Sequence, residues 1–232
     1  MHITFLMKNY KILFIGKASD DYSIKYYLYL KKNFKFVSVI YNNLINHKKI
    51  RHRIKIWNGD YIFCFRSNYL LRANEIRKAS KNVINFHPGP PQYRGIGCVN
   101  FAVMNNEKKY GSTVHLVDSK KIDSGKIVDV ALWKINKSLS IEEILLKTYE
   151  EQFYQLKKVV KYIKKDNLNF LIKKNKKYKW SKKLYTKKIL KDLYLIDFNV
   201  KKNYFKKILK STITKKFKPY ILIHGKKFVY EN

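Results

Sequence analysis

Short apolar runs, each long enough for one buried strand, alternate with stretches of helical period over the first two thirds of the chain. Residues 11–16 (KILFIG) form such a run and stop at a glycine, the pattern of a buried strand. Asp20 or Asp21 then caps a helix that reaches about Lys32, with Ile24, Tyr27, Leu28 and Leu30 as its apolar stripe. Residues 36–41, 61–65 and 83–86 predict three more strands. Between them, 42–57 is basic and irregular or helical, and 72–80 suits a short helix. Strand–helix–strand repetition of this kind predicts an α/β fold with a mostly parallel sheet and right-handed crossovers.

Three prolines keep residues 87–95 (HPGPPQYRG) out of any helix. The pattern beyond predicts a helix over 99–106, strands over 112–117 and 126–132, and a polar loop over 118–125 between those strands. Ser140-Ile-Glu-Glu143 opens a long amphipathic helix to about Lys164. From Asn167 the chain turns lysine-rich and loses clear period, until residues 220–230 read as a hairpin turning at Gly225-Lys226. The expected organisation is a catalytic domain over 9–165 and a C-terminal extension with a β-hairpin over 166–232.

Composition narrows the class. Hydrophobic residues make up 46% of the 232, too many for a disordered chain. No apolar run approaches a membrane span, and a cytoplasmic protein is expected. Cys64 and Cys98 form no CxxC, so no metal site is expected. The net charge of +35 invites a nucleic-acid or anionic-membrane partner. Only 6 of the 51 cations are arginine, however, and the lysines are spread over both halves of the chain. Phosphate and base readout favour the bidentate arginine fork, so a solvated lysine surface with no specific nucleic-acid or membrane partner is the preferred reading.

Three segments carry polar residues that composition does not explain. Alternation turns Asn85 and His87 to one face at the end of a strand, where open α/β sheets bind ligands. Asp123 sits in a loop, and Tyr93-Arg94-Gly95 is presented by the proline-rich segment. An amide, an imidazole and a carboxylate suit acyl transfer: Asn85 as oxyanion donor, His87 as base, Asp123 as support for the ring. The same residues also have ordinary uses, since a histidine at a strand end often serves structure and a loop aspartate often forms a turn. Arg94 suits bidentate phosphate or carboxylate binding, Asn100 either contacts a ligand or caps a turn, and His115 reads as buried structure.

Asn85-Phe-His87-Pro88, Tyr93-Arg94-Gly95, Ser112-Thr-Val-His-Leu-Val-Asp118 and Ile122-Asp123-Ser-Gly-Lys-Ile127 resemble the formyltransferases that use N10-formyltetrahydrofolate. His87 and Asp123 lie 36 positions apart, as in the pattern of that family. Within it, residues 87–102 are similar to the sugar N-formyltransferases. The resemblance implies a Rossmann-like domain with N10-formyltetrahydrofolate as co-substrate and no metal. Asn85, His87 and Asp123 would be catalytic, and Tyr69, Leu71, Ile122 and Asp123 would contact the folate. Tyr93, Arg94 and Asn100 would bind a nucleotide-linked amino sugar, in a homodimer. The family's usual proline in the folate loop is replaced by Tyr69-Leu70-Leu71-Arg72. Methionyl-tRNA or other formyl transfer is the alternative within this chemistry, and a non-catalytic basic module the alternative outside it.

Overall fold

The computed structural model describes residues 8–118 and 121–231. The elements are, in chain order, β1 (Lys8–Gly16), α1 (Asp21–Asn33), β2 (Phe34–Tyr41), α2 (His47–Ile56), β3 (Gly59–Phe65), α3 (Ala73–Ile76) and β4 (Ala79–His87). There follow β5 (Arg94–Gly95), α4 (Cys98–Met104), β6 (Lys109–Leu116), β7 (Ile127–Lys134), α5 (Ile141–Lys164) and α6 (Leu168–Lys174). The chain closes with β8 (Leu184–Tyr185), α7 (Lys187–Tyr194), α8 (Lys202–Thr212), β9 (Tyr220–Ile223) and β10 (Lys226–Val229). Six strands form one sheet in the order β2-β1-β3-β4-β6-β7. β2, β1, β3 and β4 run parallel, and β6 runs antiparallel to β4, so the α/β, mostly parallel expectation holds.

Two compact units emerge, one from residues 1–87, 113–131 and 150–179, the other from 88–112, 132–149 and 180–232. In the first, both faces of the sheet are covered, as a parallel sheet requires. On one face, Leu13, Ile15, Ile62, Cys64 and Val83 pack with Ile50 and Ile54 of α2. On the other, Tyr26 stacks on Phe65 at a centroid distance of 4.0 Å and meets Phe86 edge-on at 5.3 Å. Phe153 of α5 closes that cluster, 5.8 Å from Tyr26. The second unit has its own core, built on Tyr93, Val99, Phe101, Ala102, Tyr110, Ile141, Ile144 and Tyr185.

Several local readings need correction. Asp20 does cap α1, accepting the Ser23 N–H at 2.9 Å, but the buried face is Ser23, Tyr26 and Leu30, while Ile24 and Leu28 are exposed. Ser23 belongs inside because its hydroxyl accepts the Lys17 N–H, and Tyr26 because its ring fills the aromatic stack. The helix expected over 72–80 shrinks to α3, because Ala79 is already paired with Gly59 in the sheet. The lysine-rich region after 167 contains α6, α7 and α8. The hairpin turns at His224-Gly225, one residue earlier than expected, with both residues at positive φ (48° and 75°) as a tight two-residue turn demands.

No helix among the described residues is long and apolar enough to cross a membrane. Tyr26 is fully buried, and its hydroxyl has no hydrogen-bond partner among the described residues. Removing an unpaired buried hydroxyl while keeping the ring relieves a desolvation penalty. Tyr26→Phe should therefore raise stability by about 1 kcal/mol, which thermal unfolding would register as roughly 2–4 °C. Tyr26→Ala should instead cost about 3–5 kcal/mol, because it empties an aromatic site.

Candidate active site

β4 ends at His87, and its alternation divides two functions between two faces. Ile84 and Phe86 are buried, Phe86 against Tyr26, so Asn85 and His87 share the opposite face with Val83. β6 lies antiparallel beside this end of β4 and places His115 directly opposite Asn85, and Thr113 opposite His87. At the end of β6, the Leu116 N–H donates to Lys126 O at 2.9 Å, which holds the loop of residues 121–126 against the end of the strand.

That loop carries Asp123 inward. Asp123 is only 8% exposed and has a φ of 42°, in the left-handed region that aspartate tolerates better than most residues. Its Oδ2 lies 3.2 Å from His87 Nδ1, and its Oδ1 lies 3.2 Å from His115 Nε2. Both imidazoles are 2% exposed. His115 Nε2 is also 3.0 Å from the amide nitrogen of Asn85, while its Nδ1 faces Leu116 O at 2.9 Å. The structure thus brings together the three residues expected from sequence, and adds a fourth. His115 is buried, as its sequence context suggests, yet it also holds both Asn85 and Asp123. Its sequence signal is faint: a lone polar ring in an apolar strand becomes part of a site only once β6 is known to pair antiparallel with β4.

The protonation pattern follows from the acceptors. Leu116 O is an acceptor, so His115 Nδ1 carries a proton. With that ring neutral, Nε2 accepts one N–H of Asn85; with it charged, Nε2 donates to Asp123 and the amide is turned over. In the neutral pattern the second N–H of Asn85 has no partner among the described residues. His87, gripped at Nδ1 by the carboxylate, presents Nε2 as its proton-transfer atom. The assembly can accept a proton at one point and stabilise negative charge at another, about one side chain apart on the same strand.

The remaining expected residues are placed as follows. Tyr69 is buried, with its hydroxyl on Glu75, whereas Leu71 is half-buried and Ile122 exposed beside Asp123. Tyr93, Arg94 and Asn100 belong to the second unit. There Tyr93 donates to Glu107 Oε1 at 2.7 Å, Arg94 Nη1 donates to Ser181 O at 3.0 Å, and Asn100 Nδ2 donates to Ser211 O at 2.7 Å. Among the described residues no group of three His, Cys, Asp or Glu is arranged to hold a metal ion.

Gly125 is what lets the loop close on Asp123. A Cβ at this position would lie 1.8 Å from Leu116 O, a main-chain atom of β6 that cannot step aside. Gly125→Ala should therefore destabilise the protein by about 1–3 kcal/mol, measured by denaturant or thermal unfolding. The same change at the neighbouring Ser124 should be nearly neutral.

The profile of the Formyl transferase family matches residues 22–160, more than half of the chain, including β4, β6 and Asp123. Among curated relatives, the bifunctional polymyxin resistance protein ArnA of Wigglesworthia glossinidia brevipalpis is 27% identical over 165 residues, covering 69% of this chain and 25% of its own length. The phosphoribosylglycinamide formyltransferase of Haemophilus influenzae is 28% identical over 151 residues, covering 62% of this chain and 68% of its own. The chain thus spans a quarter of the first relative and about two thirds of the second. Two solved structures share the fold. A 4-N formyltransferase from Francisella tularensis is 20% identical, with 95% of this chain and 96% of that one covered at a TM-score of 0.68. An N-formyltransferase from Helicobacter canadensis, in complex with folinic acid and dTDP-3-aminofucose, is 18% identical, with 94% and 85% covered at a TM-score of 0.68. With the family's profile spanning both halves of the buried Asn85, His87 and Asp123 constellation, the chain belongs to the formyl transferase family.

Proposed function

We propose that this protein transfers a formyl group from N10-formyltetrahydrofolate to the amine of a nucleotide-linked amino-dideoxy sugar. The leading acceptor is a dTDP-4-amino-4,6-dideoxyglucose type, with the 3-amino isomer and GDP- or UDP-linked sugars as variants. The product would enter a surface glycan such as O-antigen, made in the cytoplasm by a homodimer. The observation that carries the reading is the reach of the fold likeness. It covers 95% of this chain and 96% of the Francisella 4-N formyltransferase, so it runs well beyond the residues that the family profile matches. The Helicobacter enzyme, similar over 94% of the chain, was solved with folinic acid and a nucleotide-linked amino sugar together.

The residues fit an acyl donor of this kind. N10-formyltetrahydrofolate supplies a formyl carbonyl already joined to a nitrogen leaving group. Asp123 holds His87 through Nδ1 and stabilises the charge the ring acquires. His87 Nε2 takes a proton from the sugar amine as the amine's lone pair forms the new C–N bond. Asn85 donates its second N–H to the formyl oxygen as that oxygen gains negative charge. His87 then returns the proton to N10 as the old C–N bond breaks, so the products are a formamide and tetrahydrofolate, with the proton count unchanged. Cys64 lies opposite Asn85 in the β3–β4 register, but burial pushes its thiol up to about 12. No thiolate is available there for an acyl-enzyme, and direct transfer is the consistent route.

On the sugar side we assign Arg94 to the diphosphate, since its planar fork suits bidentate phosphate binding and the bond to Ser181 O fixes its direction. Tyr93 and Asn100 would line the same side, Asn100 through its Oδ1. Ile122, beside Asp123, and the loop holding Tyr69 and Leu71 would meet the folate.

Mass spectrometry should find one formyl group added to a single member of a panel of dTDP-, GDP- and UDP-linked amino sugars, in the presence of N10-formyltetrahydrofolate. Formylation of phosphoribosylglycinamide or charged initiator tRNA instead would replace the sugar reading. His87→Ala should lower kcat by about 10²–10⁴-fold, and Asn85→Ala by about 10²–10³-fold. Near-wild-type turnover in either, with the fold intact, would refute the mechanism. His115→Ala removes the Nε2 that accepts from Asn85 in the neutral ring, and should cost roughly ten-fold or more in kcat.

A further inference from the structure

The segment that follows β3, residues 66–72, leaves the carboxyl end of a strand paired in register with β4: Cys64 faces Asn85, and Phe65 faces Phe86. It therefore sits at the sheet edge where Asn85 and His87 act, the edge at which open α/β sheets receive ligands. Most loops in such a place are held by their ends alone. This one is fastened along its length. Arg66, at a φ of 52°, makes an ion pair with Asp20, the residue that caps α1. Ser67 Oγ accepts the Tyr69 N–H at 3.1 Å. The Tyr69 ring is turned inward, edge-on to His47 at 5.2 Å, and its hydroxyl donates to Glu75 Oε1 at 2.5 Å. The other carboxylate oxygen, Glu75 Oε2, accepts the Arg72 N–H at 2.7 Å. Glu75 is only 4% exposed.

One buried carboxylate thus ties residue 69 and residue 72 together, and the two residues between them are treated differently. Leu70 is exposed, Leu71 is half-buried, and the main-chain N–H and C=O groups of both make no hydrogen bond among the described residues. A short backbone edge with unused donors and acceptors, held rigid from behind, is a ready surface for a planar hydrogen-bonding ligand.

We propose that Tyr69 and Glu75 are positioning residues that preset the 70–71 backbone as a wall for the formylated folate, without touching it themselves. The proposal rests on the folate reading of the site. Burial, with Glu75 beside it, pushes the Tyr69 phenol up to about 12, so the hydroxyl stays a donor across any working pH. Holding the loop before binding lowers the ordering cost at the moment of binding, which affects affinity rather than the chemical step.

The decisive variants are Tyr69→Phe and, separately, Glu75→Gln, each made in the full chain. Tyr69→Phe keeps the ring and removes the hydroxyl with its bonds to Glu75 and Arg51. It should raise KM for N10-formyltetrahydrofolate and the Kd for folinic acid about ten-fold, the scale of one hydrogen bond to a charged acceptor, while kcat stays within about two-fold. Deuterium uptake over residues 66–76 should rise in the ligand-free variant. Glu75→Gln retains an oxygen for Arg72 and an amide that can bond the phenol, and should stay within about two-fold of wild type in KM and uptake. Unchanged KM and uptake in Tyr69→Phe would overturn the proposal, as would a loss confined to kcat or to melting temperature. If wild type neither binds folinic acid nor transfers a formyl group, the folate reading fails. The uptake comparison then still decides whether the clamp exists.

Discussion

Taking a carboxylate out of water costs several kcal/mol unless donors surround it, and Asp123 is almost entirely out of water. Two imidazoles meet it, one at each oxygen, and each is itself buried. Neither ring would be placed at that depth without the carboxylate, and the carboxylate would not be tolerated without them. The rest of the site follows from this mutual dependence. His87 is held in ring orientation through Nδ1, and His115 lies where its Nε2 meets the Asn85 amide.

The fold meets that constraint with one departure from regularity. Four parallel strands bring Asn85 and His87 to the carboxyl edge, while Phe86, between them in sequence, anchors β4 to the aromatic stack on the far face. After the connection that holds β5 and α4, β6 runs antiparallel beside the end of β4 and delivers His115 into register with Asn85, and Asp123 follows beyond the same end of β6. The loop of residues 121–126 has two unusual positions, an aspartate at positive φ and a glycine pressed against a main-chain carbonyl.

The parts of this arrangement that were legible in the sequence are the locally coded ones. Strands β1 to β4 show as apolar runs because a sheet buried on both faces needs them, and Asn85, His87 and Asp123 stood out as polar residues against that background. The buried side of α1 was not legible: Ser23 looks polar and Ile24 apolar, yet Ser23 is inside because a hydrogen bond to Lys17 N satisfies it. Helices α6 to α8 were hidden by the lysines on more than half of their exposed positions and by exposed apolar residues such as Phe170, Ile189 and Tyr204, which blur the 3.6-residue period. His115 and Glu75 were missed for a third reason. Each acts through a partner that only the fold brings near, Asn85 across a strand pair and Tyr69 across a loop.

The net charge of +35 bears on the ligand side of this picture. With 51 basic residues against 16 acidic ones, the chain carries a strongly positive net charge, which attracts anions at long range. Such a charge favours an anionic ligand. Screening limits the effect to roughly 8 Å at physiological ionic strength, so lysines far from the sheet edge contribute to solubility rather than to the site. The few buried acids are therefore the informative ones. Glu75 and Asp123 are each engaged at both carboxylate oxygens, Glu75 by a phenol and a main-chain N–H, Asp123 by two imidazoles. A scarce negative charge, buried and fully engaged, is the same device used twice around one strand end.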